Sequence, residues 1–104
     1  MIKLFIDSSS NKKIIVGLQR GKNRSLLSKK ADSRKSQVIL LLIEKILKKN
    51  FIEITDLEEI EVIVGPGSYT GIRVGISIAN TLGYLLGAPI NSGKIGELVE
   101  PIYK

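Results

Sequence analysis

The sequence of 104 residues contains no cysteine, no histidine and no tryptophan. Without cysteine there is neither a disulfide framework nor a thiol nucleophile. Without histidine as well, the usual zinc sites and the Ser–His and Cys–His catalytic pairs are excluded. The longest apolar run, residues 38–43, is too short to span a bilayer, and the first residues lack the pattern of a signal peptide. We therefore expect a cytoplasmic protein with no membrane segment and no metal site.

Length and composition predict a single folded domain. Domains typically contain about 100–150 residues, and 43% hydrophobic residues are enough to build a core. With only five aromatic residues in the chain, that core must consist mainly of Ile, Leu and Val.

The net charge of +6 is unevenly distributed. The segment 11–35 contains one acid, Asp32, and the basic residues Lys12, Lys13, Arg20, Lys22, Arg24, Lys29, Lys30, Arg34 and Lys35. The segment 53–61 contains five acids and no base. Two interpretations stay open: both segments are solvated surface, or the basic block meets phosphates or an acidic partner. Because no aromatic residue interrupts the basic block, a base-stacking platform is not expected.

Apolar periodicity and turn residues predict the element order βββαβαβ. The predicted strands are 2–7, 13–19, 24–28, 61–64 and 89–91, with one helix from Asp32 or Ser33 to about Asn50 and another from about Thr70 to Leu86. This order is typical of the ribonuclease-H-like or actin-like ATPase (ASKHA) domain. We expect an α/β fold with a mixed five-stranded sheet and two helices on one face. The domain would occupy residues 1–91, with a short tail at 92–104.

Both predicted helices have more apolar surface than one sheet can cover. The apolar residues of the first helix fill an arc of about 200° at 100° per residue, whereas a helix resting on one core needs about 100°. In the second helix Gly71, Gly75, Ala79 and Gly83 recur every four residues. Such a stripe is explained either by tight packing on the chain's own sheet or by a helix of another chain. We predict that a partner-binding face includes Ile39, Leu42, Ile43, Ile46, Gly71, Val74, Gly75, Ile78, Ala79, Leu82 and Leu85.

A glycine-rich turn, residues 65–71, lies between a strand and a helix. It resembles an anion cradle, but it is neither a Walker A loop nor a clean dinucleotide-binding fingerprint. Pro66 has no N–H to donate, so a plain turn with Ser68 or Thr70 as the helix cap is the alternative.

Residues 64–75 read VGPGSYTGIRVG, which resembles the hallmark sequence of TsaB (YeaZ) proteins. The similarity continues through Tyr84 to Pro89. Upstream, Asp7-Ser8-Ser9 resembles the turn after the family's first strand, and Ser36-Gln37 matches the start of its Leu-rich helix. The resemblance covers residues 1 to about 91, and residues 100–104 are similar to the family's C-terminal ending.

This resemblance implies a non-catalytic scaffold that binds and activates the TsaD paralogue through the two helices, not an enzyme. A TsaE-like ATPase joins this assembly, which makes N6-threonylcarbamoyladenosine in tRNA. The chain would therefore contact tRNA as part of the complex. The resemblance implies no cofactor of the chain's own, although ATP or ADP could lie at the interface with TsaD. A shared nucleotide contact would come from Asp7, Ser8, Ser9, Gly67 and Ser68. Whether the chain forms a homodimer when alone stays open.

The sequence also departs from the family pattern. Lys35 replaces a family histidine, and the second domain that makes family members about twice as long is missing. The alternatives are a stand-alone nucleotide- or RNA-binding domain and, from another class, a minimal phosphotransferase or a peptidase. Scattered carboxylates are the only metal ligands that a metallopeptidase could use here.

Overall fold

The structure is a computed structural model, and it describes residues 1–31 and 33–102. Strands β1 (Ile2–Asp7), β2 (Lys13–Arg20) and β3 (Asn23–Lys30) are followed by helix α1 (Lys35–Lys49), strand β4 (Glu59–Val62) and helix α2 (Tyr69–Leu86). The four strands form one mixed sheet in the order β3-β2-β1-β4. β1 pairs antiparallel with β2 and parallel with β4, and β2 pairs antiparallel with β3.

One face of this sheet carries the core, because alternate strand residues point to the same side. α1 lies over β2 and β3, α2 lies over β4 and β1, and the helices touch each other. The buried strand residues are Leu4, Ile6, Ile14, Val16, Leu18, Ile60 and Val62. The sequence correctly predicted the mixed α/β sheet with both helices on one face.

The expected fifth strand does not form. Ile60 and Ile90 make an isolated parallel bridge, and the sheet has four strands, not five. Asn91 has a φ of 52°, which is incompatible with extended backbone. Its side-chain amide pairs with Val62 instead: Oδ1 accepts from the backbone N at 2.8 Å, and Nδ2 donates to the carbonyl O at 3.0 Å. The strand therefore ends after one bridge.

Several other element boundaries differ from the sequence-based expectations: β2 and β3 are longer by one to three residues, and β4 ends at Val62 and not at Val64. β4 begins at Glu59 and not at Glu61, because Ile60 and Val62 face the core while the alternating glutamates face away. α1 begins after Arg34, which makes no side-chain cap. Of its two predicted caps, Ser33 lies in a bend before the helix, and Asp32 lies outside the described residues.

The segment after residue 91 packs back on the domain. The side chain of Asn80 on α2 exchanges two hydrogen bonds with the backbone of Val99, and Ile102 N donates to Val64 O at 2.7 Å. This segment therefore covers one side of α2 and the end of β4. The remaining residues of the expected tail, Tyr103 and Lys104, lie outside the described part of the chain.

Candidate functional site

The turn after β1 carries three of the residues predicted to contact a nucleotide. Asp7 Oδ1 accepts hydrogen bonds from Ser9 N at 3.0 Å and from Ser9 Oγ at 2.6 Å. Ser8 is fully buried, and its Oγ donates to Gly71 O at 2.6 Å. Ser8 therefore attaches β1 to the first turn of α2 and is not accessible to a ligand, whereas Asp7 and Ser9 remain partly exposed.

The glycine-rich turn packs directly against that turn. Gly67 has a φ of 153°, and a Cβ atom there would lie 2.6 Å from Ser9 O. Ser68 N donates to the same carbonyl at 2.7 Å. Since Pro66 has no N–H and that of Ser68 is already bonded, the turn retains few donors for an anion. The structure thus brings Asp7, Ser9, Gly67 and Ser68 into one polar corner.

Ser68 also caps α2, as one of the two sequence-based interpretations expected. Its Oγ accepts from Gly71 N at 3.4 Å and from Lys35 Nζ at 3.3 Å. Lys35, the first residue of α1, therefore connects the starts of the two helices. The sequence singled out Lys35 only because it replaces a family histidine, and its spacing from Ser68 gave no sign of this contact.

The glycine stripe of α2 faces the chain's own residues. A Cβ at Gly71 would collide with Ser8 O, and one at Gly75 would collide with Ser8 Oγ. A Cβ at Gly83 would lie 2.7 Å from the side chain of Ile90. The close approach is therefore internal, and the interpretation of the stripe as the seat of another chain's helix is wrong.

Many of the residues predicted for a partner interface lie inside this chain. On α1 these are Ile39, Leu42, Ile43 and Ile46, and on α2 they are Gly71, Gly75 and Ala79. They cover the core face of the sheet. The other four predicted residues, Val74, Ile78, Leu82 and Leu85, are spaced by four, four and three positions and share one flank of α2. The first three are partly buried and Leu85 is 70% exposed.

A second apolar surface borders the C-terminal half of α1. A groove of about 530 Å³ is lined by Leu40, Ile43, Leu47, Phe51 and Ile54, among others. Phe51 is 94% exposed and has a φ of 56°, a conformation that bulky residues rarely adopt. Neither Phe51 nor Ile54 was predicted as a site residue from the sequence. The only signal in the sequence was the aromatic residue Phe51, placed immediately after the predicted helix end.

The described residues contain no group of three or more His, Cys, Asp or Glu side chains that could hold a metal ion. Within that same part of the chain, neither helix combines the length and the hydrophobicity needed to cross a membrane. The polar corner supplies the hydroxyls of Ser9 and Ser68 and the carboxylate of Asp7, and Lys35 adds an ammonium group beside it.

Comparison with known proteins gives a consistent family. Residues 26–92 match the family described as "TsaD: tRNA N6-adenosine threonylcarbamoyltransferase". The chain is 51% identical over 37 residues to the tRNA threonylcarbamoyladenosine biosynthesis protein TsaB of Bacillus subtilis (strain 168). The matched segment covers 36% of this chain and 16% of that protein. It is also 30% identical over 69 residues to the TsaB protein of Buchnera aphidicola subsp. Baizongia pistaciae (strain Bp). This second match covers 65% of this chain and 31% of the relative.

Solved structures show the same fold. YeaZ from Pseudomonas aeruginosa superposes with a TM-score of 0.81 at 20% identity, over 89% of this chain and 43% of that chain. A second structure, described as a protein with similarity to peptidase YeaZ from Pseudomonas aeruginosa, has a TM-score of 0.82 at 20% identity, with the same coverage. In all four comparisons the match spans less than half of the relative. By its matched residues, its hallmark turn and its fold, the chain belongs to the family that this model describes, and within it to the TsaB (YeaZ) proteins.

Proposed function

We propose that this chain is a non-catalytic, partner-binding subunit of the machinery that makes N6-threonylcarbamoyladenosine in tRNA, and that its partner is the TsaD paralogue. The role in this modification is supported by the names of the two curated TsaB relatives. The choice of TsaD as partner is supported by the match of residues 26–92 to a family described as TsaD, which makes a related domain the proposed partner. Two helix pairs can dock as a four-helix bundle.

The observation that carries this proposal is the apolar flank of α2, which is partly buried at its start and 70% exposed at Leu85. Val74, Ile78, Leu82 and Leu85 form a continuous strip that borders the packed face of α2, and the first three also pack against the core. Completely burying one exposed Leu side chain is worth about 1.5–3 kcal/mol, so a few such residues can anchor a partner. The groove beside Phe51 adds a second apolar contact on α1.

The polar corner supports a non-catalytic role. Ser8 Oγ and the N–H of Ser68 are used within the chain, and no His or Cys exists to activate a nucleophile. Any ATP or ADP would therefore be contacted through Asp7, Ser9 and the Gly67 turn together with groups of TsaD. A TsaE-like ATPase and, for the chain alone, a second copy are further partners in this proposal.

The test is co-expression with the TsaD protein of the same organism, followed by size-exclusion chromatography with light scattering. We expect a one-to-one complex, and we expect Leu85→Glu to raise its dissociation constant at least about 100-fold, because the charge would be buried unpaired. Ser77→Glu is the matched control, since Ser77 is exposed on the same helix, about two turns before Leu85 and about 80° away from it around the helix axis. Leu42→Glu is unsuitable because Leu42 is buried in the core.

Circular dichroism of each variant alone shows whether it remains folded. A lack of any complex with folded wild-type chain, or equal loss with both substitutions, would refute the proposed interface. A homodimer that Leu85→Glu disrupts, in a chain that never binds TsaD, would make self-association the function of this flank.

A further inference from the structure

The β2–β3 hairpin is the most basic surface of the described chain. Its two strands are joined by a turn at Gly21 and Lys22, with Gly21 at a φ of 58°. Seven exposed cations lie on the hairpin or directly before it: Lys12, Lys13, Arg20, Lys22, Arg24, Lys29 and Lys30. They form one group where β2 begins and β3 ends and another around the turn. The groups are about 24 Å apart, because Lys13 and Arg20 are seven positions apart along one strand.

Two of these cations are placed against each other. Lys13 is the direct cross-strand partner of Lys30, so both side chains leave the same face of the sheet at neighbouring positions. Like charges directly opposite each other destabilise a sheet. Lys29 precedes Lys30 and points to the other face of the strand, and the backbone O of Lys12 accepts from Ala31 N. Four lysines are thus concentrated at one corner at a cost to the fold.

No acid of the described residues neutralises these seven cations. The ion pairs found among residues 1–31 and 33–102 join Lys3 to Glu61 and Lys48 to Glu44. The acids of residues 53–61 lie on and before β4, at the opposite edge of the four-stranded sheet from β3. Arg24 is the one cation of the set with a ring contact, at 5.9 Å from the Phe5 ring centroid. Among residues 1–31 and 33–102, the positive charge of the hairpin is therefore not balanced by ion pairs.

Five of the seven cations lie outside the residues that match the family model, while Lys29 and Lys30 lie inside them. The matched residues begin at 26, so Lys12, Lys13, Arg20, Lys22 and Arg24 all precede them. These cations also lie on strands at one edge of the sheet, whereas the apolar flank proposed for TsaD lies on α2. The hairpin is therefore a separate surface that remains accessible when that flank is covered.

We infer that the β2–β3 hairpin binds the phosphate backbone of the tRNA that the complex modifies, an inference that rests on the proposed function. Two groups of Lys and Arg on a rigid ribbon suit a polyanion with repeated charges better than a single carboxylate. Recognition is through phosphates and not through bases, because none of the seven cations neighbours an exposed aromatic side chain on the hairpin. The hairpin thus orients the tRNA and does not read its sequence.

The test measures tRNA binding by fluorescence anisotropy over a range of salt concentrations. The probe is a labelled, unmodified transcript with an adenosine directly 3′ of its anticodon, and the protein is the full chain, alone and in complex with TsaD. The hairpin variant is Lys13→Gln/Lys29→Gln/Lys30→Gln. Its matched control is Lys45→Gln/Lys49→Gln/Lys94→Gln, which removes the same charge from exposed positions elsewhere.

We expect the hairpin variant to bind about tenfold more weakly or worse near 0.1 M salt, and its plot of log affinity against log salt to be shallower by about 2–3. The control should stay within about twofold of wild type. Equal losses in both variants would overturn the inference, because net charge alone would then explain binding. So would the absence of salt-dependent tRNA binding by the wild-type chain and its complex.

Association with TsaD is measured on the same samples by chromatography. If the chain binds TsaD but the hairpin variant binds tRNA normally, the inference fails and the proposed function stands. If the hairpin variant no longer binds TsaD but still binds tRNA, the hairpin binds an acidic protein surface and the inference is also overturned. If wild type never binds TsaD, the proposed function itself fails.

Discussion

The side chain of Asn91 makes both hydrogen bonds that a neighbouring strand would make with Val62. One side-chain amide thereby satisfies the N–H and the C=O of β4 at the edge of the sheet. An unpaired edge strand is a template for pairing with another chain, so Asn91 also protects β4 from association.

Asn91→Ala should lower the free energy of unfolding by about 2–3 kcal/mol, because two hydrogen bonds are lost and a φ of 52° is unfavourable for Ala. Urea unfolding followed by circular dichroism measures the change. Asn11→Ala, in the exposed turn before β2, serves as the control and should be close to neutral. Identical midpoints for the two variants would show that the amide contributes nothing to stability.

Gly75→Ala should destabilise the chain by about 1–3 kcal/mol through overpacking, although Ala is a better helix former by about 1 kcal/mol. The reason is the collision of the added Cβ with Ser8 Oγ. Ser8→Ala removes that oxygen, so the double variant should be more stable than the sum of the two single effects. Gly71→Ala is the control, since its Cβ would meet the backbone O of Ser8 and Ser8→Ala cannot relieve it. If the effects of Gly75→Ala and Ser8→Ala on the free energy of unfolding were additive, this packing would be contradicted.

Phe51→Asn should raise the free energy of unfolding by about 0.5–1 kcal/mol, because Asn tolerates positive φ and Phe loses almost no burial there. The same change should weaken association with TsaD, since Phe51 lines the groove beside α1. Thermal unfolding and the chromatographic assay measure the two effects. Phe51→Val keeps an apolar side chain but is β-branched, so it should lower stability. Loss of stability with Asn would show that Phe51 packs within the chain.

Lys30→Glu should stabilise the chain by about 0.5–1 kcal/mol at low ionic strength, because a like-charge pair with Lys13 becomes an opposite-charge pair. Near 1 M salt the gain should largely vanish, since the Debye length falls to about 3 Å. Lys94→Glu changes the net charge equally at an exposed loop position and controls for general repulsion. Equal gains from both substitutions would show that the cross-strand pair has no specific cost.

Local signals in the sequence were sufficient for most of the fold. The hairpin, its two strands and the extent of α2 to Leu86 were predicted from turn residues and apolar periodicity, with Ser68 as one of two alternative caps. These features depend on residues within one or two turns of each other, so the sequence alone contains the necessary information. The exclusion of Cys- and His-based chemistry likewise follows from composition.

The fifth strand and the glycine stripe required the tertiary structure. Residues 89–91 have the apolar character of a strand, but pairing ends where the backbone of Asn91 turns to positive φ and its side chain reaches Val62. Gly71 and Gly75 showed that something approaches α2 closely. Only the fold shows that this neighbour is Ser8, more than 60 positions earlier in the chain.

The same distinction holds for the candidate surfaces. Periodicity determined that both helices carry wide apolar arcs, and the sequence showed that seven of the 16 Lys and Arg residues lie on or directly before the hairpin. It did not determine that Ile39 and Ile46 are covered by the sheet while Leu85 and Phe51 are exposed. Hydrophobic periodicity specifies which side of a helix avoids water, but the residue that covers each side chain is chosen by contacts between distant segments, which only the folded chain brings together.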